Sequence, residues 1–266
     1  MGGSQQWHDV AMGNIVTVLN QKGGVGKTTV TLGFASAAGN AGHGVLVVDL
    51  DPQASSTWVL GLDPAELEVS AAEVLARTSA SKAIVESKWG DAVSVLPASS
   101  RLMSKDHGSN PARLGEALAE IADQFEVILI DCPPSLGALT TAGLSAADHA
   151  VIVVEPSALS LRGIGAVADL VDEVWDSYNT ELDLAGVIVN KVPAWSSEAE
   201  RRYDELTRTV GARAIWQPVI PQRVIVNQAI GERRPIHSYG ARSADVSEAF
   251  DQLWAKLRRV MARQSD

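Results

Sequence analysis

Residues 15–29 read Ile15-Val-Thr-Val-Leu19-Asn-Gln-Lys22-Gly-Gly-Val-Gly-Lys27-Thr-Thr29: a β-branched run, a glycine loop, then helical spacing. That order decides the architecture. A buried strand, a glycine turn and a helix start make the first half of a βαβ unit. Gly23, Gly24 and Gly26 let backbone N–H groups turn inward around phosphate oxygens, and the N-terminus of the next helix adds partial positive charge. The stretch from Gly23 through Val25 to Thr29 is therefore the candidate phosphate cradle. Lys27 supplies a point charge to β and γ phosphates, and the Thr28 hydroxyl is a ligand for Mg²⁺.

Working outward, short apolar runs recur at Val45–Leu50, Val93–Leu96, Val127–Ile130, Val151–Val154 and Val187–Val189, separated by stretches of helical period. Continuous apolar strands alternating with helices predict a doubly wound, mostly parallel sheet with helices on both faces, an α/β class. The first helix is expected from about Lys27 to Gly39 or Gly42. Residues 55–109 are less regular, with helical patches expected at Ala71–Ala76 and Lys82–Glu86. Phe250, Leu253, Trp254, Leu257, Val260 and Met261 fall on one helical stripe, read as core packing. No linker or repeat divides the chain, so a single domain over 14–266 is expected after a flexible extension at 1–13.

Two further segments carry carboxylates at strand ends. In Val45-Leu-Val-Val-Asp49-Leu-Asp51-Pro-Gln, two acids stand two residues apart, and Asp51 falls at the mouth where open α/β sheets bind ligands. The bland alternative is a pair of acids capping the next turn. In Val127-Ile-Leu-Ile-Asp131-Cys-Pro-Pro, an apolar strand closes on Asp131, which is placed to hold Mg²⁺ through a coordinated water. Cys132 reads as a small buried hydrophobe, since no histidine pattern offers it a base.

Composition narrows the class further. Apolar residues make up 46% and charged ones 20%, ordinary for a globular chain. The first fourteen residues lack a secretory pattern, and one cysteine allows no intrachain disulfide, so a cytoplasmic setting is expected. Five scattered histidines nominate no zinc site. The net charge is −10, yet 13 of the 22 Lys and Arg lie beyond Val189. That asymmetry fits either an anionic partner or arginines on solvated helices.

The glycine loop departs from the common pattern: Gln21 stands where the first glycine would be, and Lys22 follows it. Lys22-Gly-Gly-Val-Gly-Lys-Thr resembles the deviant Walker A motif of the ParA/MinD family of ATPases. The similarity runs from about Asn14 to Met261, including the segments at Ser160–Gly163, Ile220-Pro221 and Asn227–Ile236. It implies a homodimer with ATP sandwiched between subunits, Lys22 reaching the partner's phosphates, and Asp51 orienting the attacking water with Asp49 in support. It places Asn190, Pro221, Gln222 and Arg223 near the adenine. It also implies slow hydrolysis, stimulation by a ParB-like centromere-binding partner, nucleoid association in the ATP state, and non-specific binding of double-stranded DNA. Arg201, Arg202, Arg208, Arg213, Arg223, Arg233, Arg234 and Arg242 are the local candidates for phosphate contact. Pro193, Ala194 and Trp195 stand where many relatives carry an arginine, so individual DNA contacts do not transfer. A MinD-like membrane switch is the alternative, but the chain ends five residues beyond Met261 and no membrane partner is expected. A partition-type ATPase that positions a protein cargo, or an adaptor that senses nucleotide without hydrolysis, are the remaining readings.

Overall fold

The computed structural model describes residues 13–104, 110–157, 160–193 and 197–264; the expected N-terminal extension, Gly13 apart, lies outside them, as do Ala194 and Trp195. In chain order the elements are β1 (Asn14–Leu19), α1 (Lys27–Asn40), β2 (Val45–Asp49), α2 (Ser55–Val59), α3 (Ala71–Leu75), β3 (Val85–Glu86), β4 (Val93–Leu96), α4 (Ala112–Ala119), β5 (Val127–Asp131), α5 (Ala138–Ser145), β6 (His149–Val154), α6 (Ser160–Ser177), β7 (Asp183–Val189), α7 (Ser197–Val210), β8 (Ile215–Trp216), α8 (Val224–Gly231) and α9 (Ala244–Gln264). Short 3-10 segments join them, among them Ile236–Ser243 before α9.

Among the described residues the strands form one eight-stranded sheet in the order β3-β4-β2-β5-β1-β6-β7-β8. All pairs are parallel except β3 with β4. β1 lies at the centre, and β5 and β6 flank it, so the strand order reverses beside the glycine loop, where such sheets form their ligand crevice.

Two cores lie on opposite sheet faces. α1, α8 and α9 cover one, through Phe34, Ile225, Phe250, Leu253 and Leu257; α4, α5, α6 and α7 cover the other, through Leu118, Leu139, Val167 and Leu206. The C-terminal stripe packs as expected, with Trp254 and Met261 both 4% exposed. Gly33 is required there, since a Cβ on it would lie 2.1 Å from the Phe250 ring.

One expectation is corrected. Lys82–Glu86 is not a helical patch: a 3-10 turn ends at Lys82, and Val85–Glu86 runs antiparallel on the sheet edge. Two residues of pairing are too short for a period to show in sequence. β8 was missed for the same reason.

Candidate functional site

The glycine loop leaves β1 at Asn20 and enters α1 at Lys27. Gly24 (φ 80°) and Gly26 (φ 94°) both adopt left-handed backbone. At Gly26 the need for glycine is steric as well, because a Cβ would meet the Asn190 amide nitrogen at 2.1 Å. That amide donates to the Val25 carbonyl at 2.9 Å, and the Lys191 ammonium donates to the Gly24 carbonyl at 2.5 Å. The end of β7 thus holds the loop in shape. Asn190, which the family resemblance places near the adenine, does this structural work.

Beneath the loop, the ends of β2 and β5 lie side by side with Asp49 opposite Asp131. Both carboxylates are fully buried. Asp131 Oδ2 accepts from the Thr28 and Ser56 hydroxyls, each at 2.7 Å, while its Oδ1 has no partner among the described residues. Asp49 Oδ2 accepts from the Thr57 N–H and hydroxyl, both at 2.8 Å, and its Oδ1 from the Asp51 N–H at 3.0 Å. Burial pushes the Asp49 carboxyl up to about 8, with Asp131 beside it adding to the rise. Burial likewise raises Asp131 to about 6, against the Ser56 and Thr28 hydroxyls and the charge of Lys27. Lys27 is itself lowered by burial, with the fields of Asp131 and Asp51 opposing. Cys132 is buried and its thiol pushed up by desolvation, as an inert hydrophobe would be.

Asp51 lies past the end of β2, half-buried, accepting from the Gln53 N–H at 2.9 Å. It is connected to Asp49 through the turn, not by strand alternation. Ser56 and Thr57 were missed by sequence reasoning: in Asp51-Pro-Gln-Ala-Ser-Ser-Thr they resemble an ordinary polar turn, and only the packing of α2 on the two acids gives them a role.

The adenine candidates converge. Parallel bridging of Val192 with Pro221 brings 221–223 beside 190–192, and Thr29, Asn190, Pro221, Gln222 and Arg223 line one cleft of about 100 Å³. Lys22 points elsewhere. Its ammonium pairs with Glu155 just after β6 and donates to the Ser157 hydroxyl at 3.0 Å.

These residues fit a nucleotide and its cation. The cradle is open at Gly24, where a Cβ would meet nothing within 4 Å, and the unspent Asp131 oxygen beside the Thr28 hydroxyl is a donor set for a hydrated Mg²⁺. A family model described as an AAA domain matches residues 13–184. The sporulation initiation inhibitor protein Soj of Bacillus subtilis is 32% identical over 90% of this chain and 96% of its own length. The chain belongs to the ParA/MinD-type P-loop ATPases. Within this family, the chromosome-partitioning ATPase Soj of Treponema pallidum is 30% identical over 95% of the chain and 98% of its own length. A crystal structure of cobyrinic acid a,c-diamide synthase from Mycobacterium smegmatis, with bound ADP and magnesium, shares the ParA/MinD-type fold. It has a TM-score of 0.80 and 29% identity, over 93% of this chain and 95% of that one.

The candidate DNA contacts do not form one patch. Arg201 and Arg202 sit on α7 and pair with Glu198 at 2.8 Å, Arg202 also with Glu205 at 2.9 Å. Arg208 and Arg213 are exposed beyond them. Arg223 pairs with Asp245 at 2.6 Å. Arg234 and Arg242 lie across the sheet from α7, their guanidinium carbons 4.9 and 5.8 Å from the Tyr239 ring centroid. Arg233 is committed internally: it donates to the Trp58 carbonyl at 2.6 Å and the Leu62 carbonyl at 3.0 Å.

Proposed function

We propose that this chain is an ATP-driven switch for DNA partition. Two copies close face to face on ATP, the closed dimer holds double-stranded DNA without sequence preference, and slow hydrolysis, stimulated by a ParB-like centromere-binding partner, lets it go. The observation that carries the catalytic part is the convergence of Lys27, Thr28, Asp131 and Asp51 beneath one glycine cradle. ATP and Mg²⁺ are its cofactors: the loop from Gly23 to Thr29 cradles phosphates, and Thr28 with Asp131 holds the cation. Mg²⁺, when bound, neutralises charge on the phosphoryl oxygens. Asp51 orients the attacking water from its half-buried position, and Asp49, kept largely protonated by burial, fixes the Asp51 backbone. Lys22 exchanges Glu155 for the partner's phosphates as the dimer closes.

The cytoplasmic, nucleoid-associated setting and the single domain over 14–266 belong to the same proposal. No helix among the described residues is long and apolar enough to cross a membrane, so a MinD-like role would act at a membrane surface.

Asp51→Ala tests the assignment. It should bind ATP and dimerise but lose phosphate release by at least ~100-fold, since a water-orienting group is removed and the cradle is not. Turnover near wild type would move the role elsewhere. DNA co-sedimentation with a non-hydrolysable ATP analogue tests the partner, and anionic vesicles pulled down in its place would favour the MinD-like reading.

A further inference from the structure

We infer that Arg233 is a positioning residue for ATP hydrolysis and not a DNA contact: from the C-terminal third of the chain it caps α2, the helix whose first turn holds both buried carboxylates. The backbone at Arg233 is tightly constrained. α8 ends in a Schellman closure, with the Arg233 N–H donating to the Ile230 carbonyl at 3.1 Å and the Arg234 N–H to the Ala229 carbonyl at 3.0 Å. The residue at that position adopts left-handed backbone, here with φ 56°. Glycine takes this conformation at no steric cost, whereas a side chain with a Cβ is strained there. Strain of this kind persists where the surroundings over-determine it.

The surroundings do so. The Trp89 indole N–H donates to the Arg233 carbonyl at 3.0 Å, anchoring the backbone. The Arg233 side chain then reaches α2. Its Nε–H donates to the Trp58 carbonyl at 2.6 Å and Nη2 to the Leu62 carbonyl at 3.0 Å, with the guanidinium 5.0 Å from the centroid of the Trp58 ring. A cation at a helix C-terminus is favoured by charge. Here it is a second donor to the Trp58 carbonyl, which also accepts from the Gly61 N–H at 3.1 Å, and it ties that carbonyl to the Leu62 carbonyl in the turn that follows.

At the other end of the same five-residue helix, Ser56 bonds Asp131 and Thr57 bonds Asp49. With a rise of about 1.5 Å per residue, only ~3 Å of helix separates the Trp58 carbonyl from those hydroxyls. A release of the capped end therefore displaces the groups that orient Asp131 and Asp49. The neighbouring Arg234 shares none of these bonds.

The inference rests on the reading of this site as an ATPase, and the test separates the two. Arg233→Gly retains the left-handed turn without strain and removes the side chain with its guanidinium, so the α8 closure is kept and folding is checked by thermal melting. The amide protons of 57–62 in the nucleotide-free protein should exchange at least ~10-fold faster than in wild type, with α8 unchanged, because local opening governs exchange. Phosphate release should fall on the order of 10-fold or more while the Kd for ATP stays within about twofold, the signature of misplacement and not of lost binding. Wild-type exchange and wild-type turnover in this variant would overturn the inference. So would unchanged turnover with a DNA salt slope flattened by about two units, the mark of one lost phosphate contact in each subunit of the dimer. If the wild-type protein releases no phosphate, the ATPase reading fails, and the exchange measurement still decides whether Arg233 holds α2.

Discussion

Lys22 and Lys27 stand on one loop and are expected to act on different subunits. Lys27 is buried under the cradle near Asp131, so Lys27→Ala should abolish nucleotide binding outright. Lys22 is held outside the cradle by Glu155 and Ser157; Lys22→Ala should leave monomer binding within a few-fold and prevent the ATP-dependent dimer. Sizing with a non-hydrolysable analogue checks this, and normal dimers for Lys22→Ala would refute the sandwich role. The two buried acids tie stability to pH. Asp49 and Asp131 are raised from an ordinary 3.8 to about 8 and about 6. Between those values and 3.8 the folded chain holds protons that the unfolded chain has released. Their contribution to stability is therefore present at low pH and declines as pH rises from about 4 toward 8. In chelated, nucleotide-free protein the melting temperature should fall between pH 6 and pH 8, and Asp49→Asn should remove most of that fall. A melting temperature that rises over the same interval would contradict the protonated Asp49.

At the level of elements, β1, the glycine loop and α1 were legible because each has its own physical signature: a β-branched run, obligate positive φ, and small residues packing on a sheet. The parallel strands announced themselves as continuous apolar runs. α2 did not, since Ser55–Val59 is too short for a helical period, and its function arises from long-range packing onto β2 and β5. Asp49, Asp51 and Asp131 could be found by their strand-end positions; Ser56, Thr57 and Arg233 could not, because their partners lie 75, 8 and 175 residues away. Ser56 carries this long-range packing in a single hydroxyl. Its hydroxyl is one of two on Asp131 Oδ2, and removing it from a buried carboxylate leaves an acceptor short by one bond, a cost of about 1–3 kcal/mol. Ser56→Ala should keep ATP affinity, which the loop and Lys27 supply, while raising the Mg²⁺ concentration for half-maximal turnover several-fold. A titration of Mg²⁺ at saturating ATP reads this, and an unchanged midpoint would show that Thr28 alone holds the carboxylate.

Across the whole molecule, the excess of basic residues beyond Val189 is divided by the sheet. α7 packs through Leu206 onto the same face as α4, α5 and α6, whereas α8 and the Ile236–Ser243 segment pack with α1 and α9 on the other. The α7 arginines are also locally neutralised, since Glu198, Glu200, Asp204 and Glu205 share that helix with Arg201, Arg202 and Arg208. Exposed ion pairs are worth only about 0–1 kcal/mol, but they cancel the field that a phosphate backbone would feel. Arg234 and Arg242 flank Tyr239 with Glu232 as the nearby acid, its carboxylate accepting the Tyr239 hydroxyl at 2.7 Å. The DNA-binding charge is therefore expected on this face. With a non-hydrolysable ATP analogue present, the logarithm of DNA affinity should fall linearly with the logarithm of salt, at about 0.9 per phosphate neutralised. Reversing Arg234 and Arg242 to Glu removes two contacts per subunit, about four per dimer, and should flatten the slope by ~3 to 4 units while hydrolysis without DNA is unchanged. The same reversal at Arg201 and Arg202 should leave the slope within about one unit of wild type. Should the α7 pair flatten the slope and the Tyr239 pair leave it alone, the DNA face would be the opposite one.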